Sequence, residues 1–285
     1  NVGKSTLMNA LVGERMSIIT NKPQTTRHRI IGILSDTDFQ LVFSDTPGII
    51  EDPTYEMQKA MNRFVHSTFE DGDIMLVVVA PDEVYEEDDA IFRRLPNLNI
   101  PVILAINKVD TLEPEQLEAM IQNWKDRYPF KEIIPISALQ KDNTEYLLQQ
   151  IKELLPLGPA YYPKDQLTDR PERFFVSEIV REQILELYHQ EIPYSCEVIV
   201  DAFKEGETNS GEAITRIAAT IYVSRKSQKP ILIGKNGTAI KKLSTESRKA
   251  IEKFLETKVF LELHVKVRDN WRDDEQLLRH FGYQQ

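Results

Sequence analysis

The first six residues of the sequence constrain its fold more than any other stretch. They match the second half of the phosphate-binding loop G-x-x-x-x-G-K-[ST] and comprise Asn1, Val2, Gly3, Lys4, Ser5 and Thr6. In such a loop the glycine lets the backbone approach a phosphate, the lysine reaches the β- and γ-phosphates, and the serine hydroxyl binds Mg²⁺. The apolar residues that follow predict a helix up to Gly13, with its N-terminus facing the anion. We expect a strand and the first glycine of the motif ahead of Asn1.

Length and composition indicate two domains of an ordinary globular protein. The chain has 285 residues, of which 41% are hydrophobic and 28% are charged. No apolar run approaches the ~20 residues that a membrane span needs, so none is expected. The single cysteine, Cys196, excludes an internal disulfide and fits a reducing cytoplasm. We expect a cytoplasmic monomer.

The charge is distributed unevenly along the chain. Residues 1–170 carry 17 basic and 27 acidic side chains, whereas residues 171–285 carry 18 of each. Within the second part, residues 225–249 contain eight basic residues and one acid, Glu246. Because a polyanion responds to the local field, this basic segment is compatible with nucleic-acid binding despite the net charge of −10.

The first 156 residues predict an α/β domain in which strands and helices alternate. Such alternation is typical of a mostly parallel sheet with helices on both faces and with ligands beyond the carboxyl ends of the strands. The residues between the first two strands predict an antiparallel hairpin. Strands are predicted over 29–34, 39–43, 74–80, 101–106 and 133–136, and helices over 54–70, 83–95, 114–128 and 143–155.

Asp45 and Gly48 belong to the sequence D-T-P-G at the end of the second predicted strand. A carboxylate in this place, downstream of a phosphate loop, is suited to orient Mg²⁺ or its water ligands. The Gly48 N–H is placed to contact a γ-phosphate. We therefore expect Ser5 and Asp45 to hold the metal together.

The sequence Asn107-Lys108-Val109-Asp110 predicts the choice of base. The Asp110 carboxylate can accept hydrogen bonds from guanine N1–H and from its 2-amino group, whereas adenine has neither donor. A site built around such a polar contact rejects the wrong base by roughly 10⁴-fold. Asn107 and Lys108 brace the loops and cover the base. Backbone N–H groups near the guanine oxygen are expected from Ser137, Ala138 and Leu139.

These motifs together resemble those of the translation-factor-related GTPases. The resemblance implies that a threonine of the T-T-R switch loop binds Mg²⁺ and the γ-phosphate; Thr26 is our first choice and Thr25 the alternative. Ile49 stands where Ras-like proteins have the glutamine that orients water, so we expect slow hydrolysis. The resemblance to potassium-activated relatives implies Asn1 as a K⁺ ligand near the β–γ bridge, and an asparagine needed only for loop geometry is the alternative.

Residues 157–171 are predicted to be a linker because the stretch 154–163, which overlaps their start, contains three prolines and one glycine. Tyr161 and Tyr162 could stack on bases, but aromatic contacts that anchor the linker to a domain are the favoured interpretation. The second domain, 172–285, shows the order helix-strand-strand-helix-helix-strand. A short terminal helix is expected over 273–281.

The second domain contains a G-x-x-G sequence that predicts RNA binding. Two glycines between two helices let a nucleic-acid backbone approach, with helix N-termini and a lysine on the phosphates. The element order is that of a type II KH fold, an α+β domain. DNA is the alternative polyanion. The expected RNA-binding residues are Ile233, Gly234, Lys235, Asn236, Gly237, Lys229, Lys241 and Lys242.

A P-loop GTPase domain, a Pro/Tyr-rich linker and a type II KH domain together resemble the bacterial Era GTPases over the whole chain. The resemblance implies GTP and GDP as ligands, Mg²⁺ as cofactor and the 3′ end of small-subunit ribosomal RNA as partner, with a role in assembly of the small ribosomal subunit. It also implies peripheral contact with the inner face of the cell membrane.

Two other functions remain open from the residues. A constitutive RNA-binding adaptor would bind nucleotide without RNA-dependent turnover, and an ATP-driven enzyme conflicts with Asp110. We expect GTP to order the loops at 20–27 and 48–58 and thereby to change RNA access.

Overall fold

The computed structural model describes residues 2–20, 22, 24–86, 89 and 92–283. The chain divides into two compact units, of which the first contains Asn1–Asp52 and Met61–Asp169 and the second contains Pro53–Ala60 and Arg170–Gln285. The predicted linker therefore falls mainly within the first unit. None of the helices among the described residues is long and apolar enough to cross a membrane.

The first unit contains two sets of strands. β1 (Ile30–Ser35) pairs antiparallel with β2 (Gln40–Asp45), which confirms the predicted hairpin. β3 (Met75–Val79), β4 (Val102–Ile106) and β5 (Glu132–Pro135) form a parallel sheet in that order. All five residues of β4 are buried, with alternate side chains in two different core clusters, as expected for a strand covered on both faces.

The helices of this unit are α1 (Lys4–Val12), α2 (Glu56–Asp71), α3 (Pro114–Arg127) and α4 (Thr144–Glu153). Leu7 and Leu11 of α1 and Leu147 and Ile151 of α4 pack in one core cluster with the sheet. α2 begins within the second unit, because residues 53–60 are assigned there.

The helix predicted over Glu83–Leu95 is wrong at its start, where residues 83–86 are not helical. Tyr85 instead packs its ring against Trp124 at a centroid distance of 5.3 Å, and its hydroxyl accepts a hydrogen bond from the Ala80 N–H at 2.8 Å. Residues 87, 88, 90 and 91 of the predicted helix lie outside the described residues. A 3₁₀ turn at Leu95–Asn97 ends the segment.

A cavity of about 500 Å³ lies between β2 and β3, which do not pair with each other. Its walls include Leu41 and Phe43 of β2 and Leu76 and Val78 of β3. Met75, Leu76 and Val78 are only half-buried for this reason, although the sequence predicted a strand covered on both faces.

Hydrogen bonds of the linker main chain attach it to the rest of the first unit. The Gln40 side chain accepts hydrogen bonds from the N–H groups of Tyr161 and Tyr162 at 2.8 and 2.9 Å and donates to the Tyr162 carbonyl at 2.9 Å. The Ile33 N–H donates to the Leu167 carbonyl at 2.8 Å, which extends the edge of β1. Tyr161 itself is largely exposed.

The second unit contains the predicted KH element order. α5 (Glu172–Leu187) and a short α6 (Ile192–Ser195) precede a long hairpin of β6 (Cys196–Glu207) and β7 (Ala213–Val223). α7 (Gln228–Ile233) and α8 (Thr238–Leu255) follow, and β8 (Lys258–Val267) pairs parallel with β7. The terminal helix is α9 (Glu275–His280), shorter than predicted.

One face of this sheet packs on the helices to form the core of the second unit. Residues from α5, β6, β7, α8 and β8 join a single apolar cluster. Within the same unit, the Glu56 N–H donates to Asp273 Oδ1 at 3.2 Å, and the Arg272 guanidinium lies 4.3 Å from the centre of the Tyr55 ring. Residues 53–60 are thus attached next to a 3₁₀ turn at Trp271–Asp273.

Candidate functional site

The phosphate loop requires glycine at position 3 for two independent reasons. Gly3 has φ 89° and ψ 27°, in the left-handed region that L-residues with a side chain rarely adopt. A Cβ added there would lie 2.4 Å from the Asn107 side-chain nitrogen. The Gly3 carbonyl accepts the Leu7 N–H at 2.9 Å and starts α1 immediately behind the loop.

Asn107 joins three loops at the carboxyl end of the parallel sheet. It is 3% exposed, its Nδ2 donates to the Val2 carbonyl at 2.8 Å, and its Oδ1 accepts the Ala138 N–H at 2.9 Å. The phosphate loop, the N-K-V-D loop and the S-A loop are therefore brought together, as the sequence predicts. Both ends of one nucleotide can be held at this edge of the sheet.

Asp110 is available to a base. It lies in a 3₁₀ turn at Val109–Thr111, is exposed, and makes no hydrogen bond or ion pair with other described residues. Lys108 adopts the left-handed conformation, with φ 63°, and its ammonium pairs with Asp82 at 2.7 Å. This hydrogen bond is the main reason why the pKa of Asp82 lies below its usual range.

The S-A loop differs in detail from the expectation. The Ala138 N–H is used by Asn107, and the Ser137 N–H donates to the Asp142 carbonyl at 3.1 Å. Leu139 is 74% exposed, and its N–H has no partner among the described residues. The Leu139 N–H is therefore a donor that this loop leaves available among the described residues, and Ser137 and Ala138 shape the loop.

Three oxygen-bearing side chains converge where β2 ends. The Ser5 hydroxyl donates to Asp45 Oδ2 at 2.7 Å and lies 2.9 Å from Thr26 Oγ1, which is itself 3.4 Å from Asp45 Oδ2. Thr25 instead donates to the Lys22 carbonyl at 2.7 Å. The geometry therefore distinguishes Thr26 from Thr25 as the threonine beside the carboxylate. Hard oxygen ligands of this kind suit Mg²⁺.

Asp45 is buried and incompletely satisfied. Burial raises the pKa of its carboxyl above the usual range, and this effect outweighs the lowering by Ser5, Lys4, Ser17 and Thr26. Its Oδ1 atom is buried without a hydrogen-bond partner among the described residues. A buried carboxylate oxygen of this kind is unfavourable unless a cation or a donor completes it. The residues present thus fit a bound divalent cation.

The loop after Asp45 is held by an asparagine that the sequence analysis did not single out. Asn62 of α2 accepts the Ile50 N–H at 3.0 Å and donates to the Ile50 carbonyl at 2.7 Å. Gly48 is exposed, and a Cβ there would meet nothing within 4 Å. Ile49, between Gly48 and Ile50, has no polar side-chain atom. Asn1 lies outside the described residues.

The G-x-x-G loop connects α7 to α8 and contains three residues with unusual backbone conformations. Gly234 has φ 73° and ψ 171°, Asn236 has φ 54° and Gly237 has φ 75°. A Cβ on Gly234 would approach the Ala239 Cβ to 2.6 Å and its backbone nitrogen to 2.9 Å. The loop is closed by the Thr238 hydroxyl, which donates to the Lys235 carbonyl at 2.9 Å.

The predicted RNA-contacting lysines are exposed and unpaired. They make no ion pair or side-chain hydrogen bond with other described residues. These lysines are Lys229, Lys235, Lys241 and Lys242. By contrast, Lys249 pairs with Glu246 at 2.9 Å. α7 is fixed to the core below the loop by Tyr188, whose hydroxyl donates to the Leu232 carbonyl at 2.8 Å. Burial raises the pKa of Tyr188 to about 12.

Comparison with known proteins covers both units. A family model described as 50S ribosome-binding GTPase matches residues 1–108, and a KH domain model matches residues 191–272. The GTPase Era of Syntrophus aciditrophicus is 47% identical over 99% of this chain and 92% of its own length. That of Clostridium kluyveri is 43% identical over 99% of this chain and 95% of its own.

Two solved structures match the complete chain with a TM-score of 0.93. A variant of Aquifex aeolicus Era bound to GDP and AlF4− is 36% identical and covers 100% of this chain and 96% of its own. Era in complex with MgGDPNP and nucleotides 1506–1542 of 16S ribosomal RNA is 35% identical with the same coverage.

The fold and the two sites define the class of protein, a P-loop GTPase with a C-terminal KH domain. Within this class, the similarity over nearly the full length settles the family. The chain belongs to the GTPase Era family and is a GTPase.

Proposed function

We propose that this protein binds GTP with Mg²⁺, hydrolyses it slowly, and binds the 3′ end of small-subunit ribosomal RNA during assembly of the small ribosomal subunit. One observation carries the proposal. The relative bound to MgGDPNP and 16S ribosomal RNA nucleotides matches the whole chain at a TM-score of 0.93. The side chains that would serve both ligands are present here in the geometry described above.

The base is selected by Asp110, whose carboxylate accepts the two guanine donors. The Leu139 N–H donates to the guanine oxygen, and Lys108 covers the ring after leaving Asp82. The support is that the carboxylate and the Leu139 N–H are both exposed and unpaired among the described residues. Adenine would leave the carboxylate without donors, which accounts for discrimination.

The phosphates and the metal lie at the other end of the site. Ser5, Thr26 and Asp45 would hold Mg²⁺, which neutralises developing phosphate charge when bound. Lys4 and the N–H groups at the start of α1 bind the phosphate oxygens. The Gly48 N–H contacts the γ-phosphate. The unpartnered Asp45 Oδ1 and the converging hydroxyls support this assignment.

Hydrolysis is slow because the Ile49 side chain has no polar atom that can orient the attacking water. Asn1 holds a K⁺ ion that supplies part of the missing charge stabilisation, as in potassium-activated relatives. GTP turnover in KCl and in NaCl at equal ionic strength tests this point, and equal rates in the two salts would remove the potassium proposal while leaving the rest intact.

The KH loop binds single-stranded RNA by its backbone. The left-handed conformations at Asn236 and Gly237 keep side chains out of the path of the phosphates, and Lys235 contacts them. Ile231 is 54% exposed beside the loop and offers an apolar surface to unstacked bases. RNA is preferred to DNA because single-stranded bases are the usual targets of such loops.

The nucleotide controls RNA access through residues 53–60. These residues follow the D-T-P-G loop in sequence and contact Arg272 and Asp273 within the second unit. Ordering of the 48–58 loop by the γ-phosphate alters these contacts. Arg272→Ala is expected to reduce the difference in RNA affinity between the GDPNP-bound and GDP-bound states.

The decisive experiment measures two quantities on the full-length protein. GTP hydrolysis is followed with RNA that carries the 3′ end of small-subunit ribosomal RNA, with a matched RNA of scrambled 3′ sequence as control. RNA affinity is measured with GDPNP and with GDP. We expect faster turnover with the authentic RNA and a higher affinity with GDPNP. Nucleotide binding with identical values in all conditions would favour the constitutive adaptor.

Peripheral membrane contact is a separate hypothesis that depends only on the family resemblance. The acidic first 170 residues oppose binding to anionic lipid. Sedimentation with vesicles that contain anionic lipid, with neutral vesicles as control, tests it directly.

A further inference from the structure

Ser17 carries a buried hydroxyl for which the described residues provide no hydrogen-bond partner at bonding distance. The residue is 4% exposed, and its Oγ atom has no partner among the described residues. A buried hydroxyl without a partner typically costs about 1–3 kcal/mol, so each such group calls for a structural or functional explanation. No motif in the sequence identifies this serine.

Ser17 is held in place by the helix that carries the metal-binding serine. Asn9 Oδ1 accepts the N–H groups of Met16 and Ser17 at 2.8 and 3.0 Å, and Asn9 Nδ2 donates to the Ser17 carbonyl at 3.0 Å. Asn9 lies four residues after Ser5, on the same face of α1. The backbone of Ser17 is therefore fixed relative to Ser5, whereas its hydroxyl takes no part in these hydrogen bonds.

The Asp45 carboxylate also has one buried oxygen that lacks a hydrogen-bond partner among the described residues. Its Oδ2 atom receives Ser5 and lies near Thr26, but its Oδ1 atom is buried and has no partner. The Ser17 hydroxyl lies near the Asp45 carboxyl and contributes to lowering its pKa, but neither Ser17 Oγ nor Asp45 Oδ1 has a partner at hydrogen-bond distance among the described residues. An unsatisfied donor and an unsatisfied acceptor thus face the same small region.

We propose that Ser17 is a positioning residue for the metal site, with its hydroxyl donating to Asp45 Oδ1, directly or through one water, when nucleotide and Mg²⁺ are bound. This hydrogen bond fixes the rotation of the carboxylate and keeps Oδ2 towards Ser5 and Thr26. Groups that orient a metal ligand in this way typically change metal affinity by about 10–100-fold when they are removed. The inference rests on the proposed magnesium site.

The test compares Ser17→Ala with Ser247→Ala. Ser247 is a matched control because its hydroxyl is also buried without a partner, but it lies on α8 in the second unit. Release of a fluorescent GDP analogue is measured in millimolar Mg²⁺ and in EDTA. We expect Ser17→Ala to weaken the retention of GDP by Mg²⁺ about tenfold, with an unchanged rate in EDTA, and Ser247→Ala to behave as the parent protein.

Four outcomes would overturn the proposal. A parent protein whose GDP release ignores Mg²⁺ would remove both the magnesium site and the role of Ser17. If Mg²⁺ slows GDP release from the parent protein and slows it equally in Ser17→Ala, only the role of Ser17 is removed. The same holds if Ser17→Ala changes the release rate as much in EDTA as in Mg²⁺. Loss of folding in nucleotide-free Ser17→Ala would also refute it, because truncation of an unpartnered hydroxyl should not destabilise that state.

Discussion

The two glycines of the G-x-x-G loop allow a sharp test of the structure, because alanine should affect them very differently. Gly234 combines φ 73° with ψ 171°, and an added Cβ would lie 2.6 Å from the Ala239 Cβ. Gly237 has φ 75° and ψ 12°, and an added Cβ would meet nothing within 4 Å. Gly234→Ala and Gly237→Ala are therefore matched variants of one loop.

The magnitudes follow from the two conformations. Alanine at Gly237 adopts a left-handed conformation at a cost of about 1–2 kcal/mol, partly offset by about 0.4–1 kcal/mol from the less flexible unfolded chain. Alanine at Gly234 adds about 1–3 kcal/mol for a backbone region reserved for glycine and about 1–3 kcal/mol for overpacking against α8. The effect on the unfolded chain is the same for both variants and cancels, so the centres of these ranges differ by about 2.5 kcal/mol. We expect Gly234→Ala to lose about that much more than Gly237→Ala.

The chain has a convenient reporter for this comparison. Trp271 is fully buried in the second unit, and the other tryptophan, Trp124, lies in the first. In a Trp124→Phe background, denaturant unfolding followed by fluorescence reports the free energy of unfolding of the second unit alone. Equal losses for the Gly234→Ala and Gly237→Ala variants would refute the close contact with Ala239 on which the argument depends.

Three further perturbations test the sites. Asp110→Asn replaces two acceptor oxygens by one acceptor oxygen and one donor NH2 group, so one of the two guanine donors loses its partner. GTP-over-ATP discrimination in competition binding should then fall by about 100-fold or more. Unchanged discrimination would exclude Asp110 from the base site. Burial raises the pKa of Asp45 in the folded state, so its carboxyl lowers stability as the pH rises through that pKa. Asp45→Asn should therefore stabilise the nucleotide-free protein at neutral pH, and thermal unfolding should show this gain. The same variant should lose the effect of Mg²⁺ on GDP release. Lys235→Ala should lower the salt slope of RNA binding by about 0.7, whereas Lys249→Ala, whose ammonium already pairs with Glu246, should change it less; titrations at several salt concentrations check the pair.

The sequence predicted those elements whose boundaries depend on local chemistry. The sequence predicts a helix over 238–255, because Gly237 precedes it and its apolar positions recur at helical spacing, and α8 occupies Thr238–Leu255. The start of the segment at Glu83 was mispredicted as helix. There Tyr85 packs on Trp124 and accepts the Ala80 N–H, and this tertiary contact outweighs the local preference.

The residues of the site could be predicted as motif members, but their partners could not. The sequence identified the S-A loop as a source of N–H groups, yet the use of the Ala138 N–H by Asn107 depends on how three loops meet. Asn9 and Asn62 were missed for the same reason. Each fixes a loop backbone through its side-chain amide, and a single asparagine in a helical pattern carries no signal of that role.

The connection between the base and the phosphates depends physically on one amide group. Asn107 uses its nitrogen for the Val2 carbonyl and its oxygen for the Ala138 N–H, so neither end can be exchanged for a carboxylate or a hydrocarbon without loss. The same nitrogen occupies the space that any side chain at position 3 would need. The glycine of the phosphate loop and the asparagine of the base loop therefore depend on each other, because the asparagine can pack here only if position 3 has no side chain. This link explains how motifs more than a hundred residues apart in sequence can grip the two ends of one nucleotide.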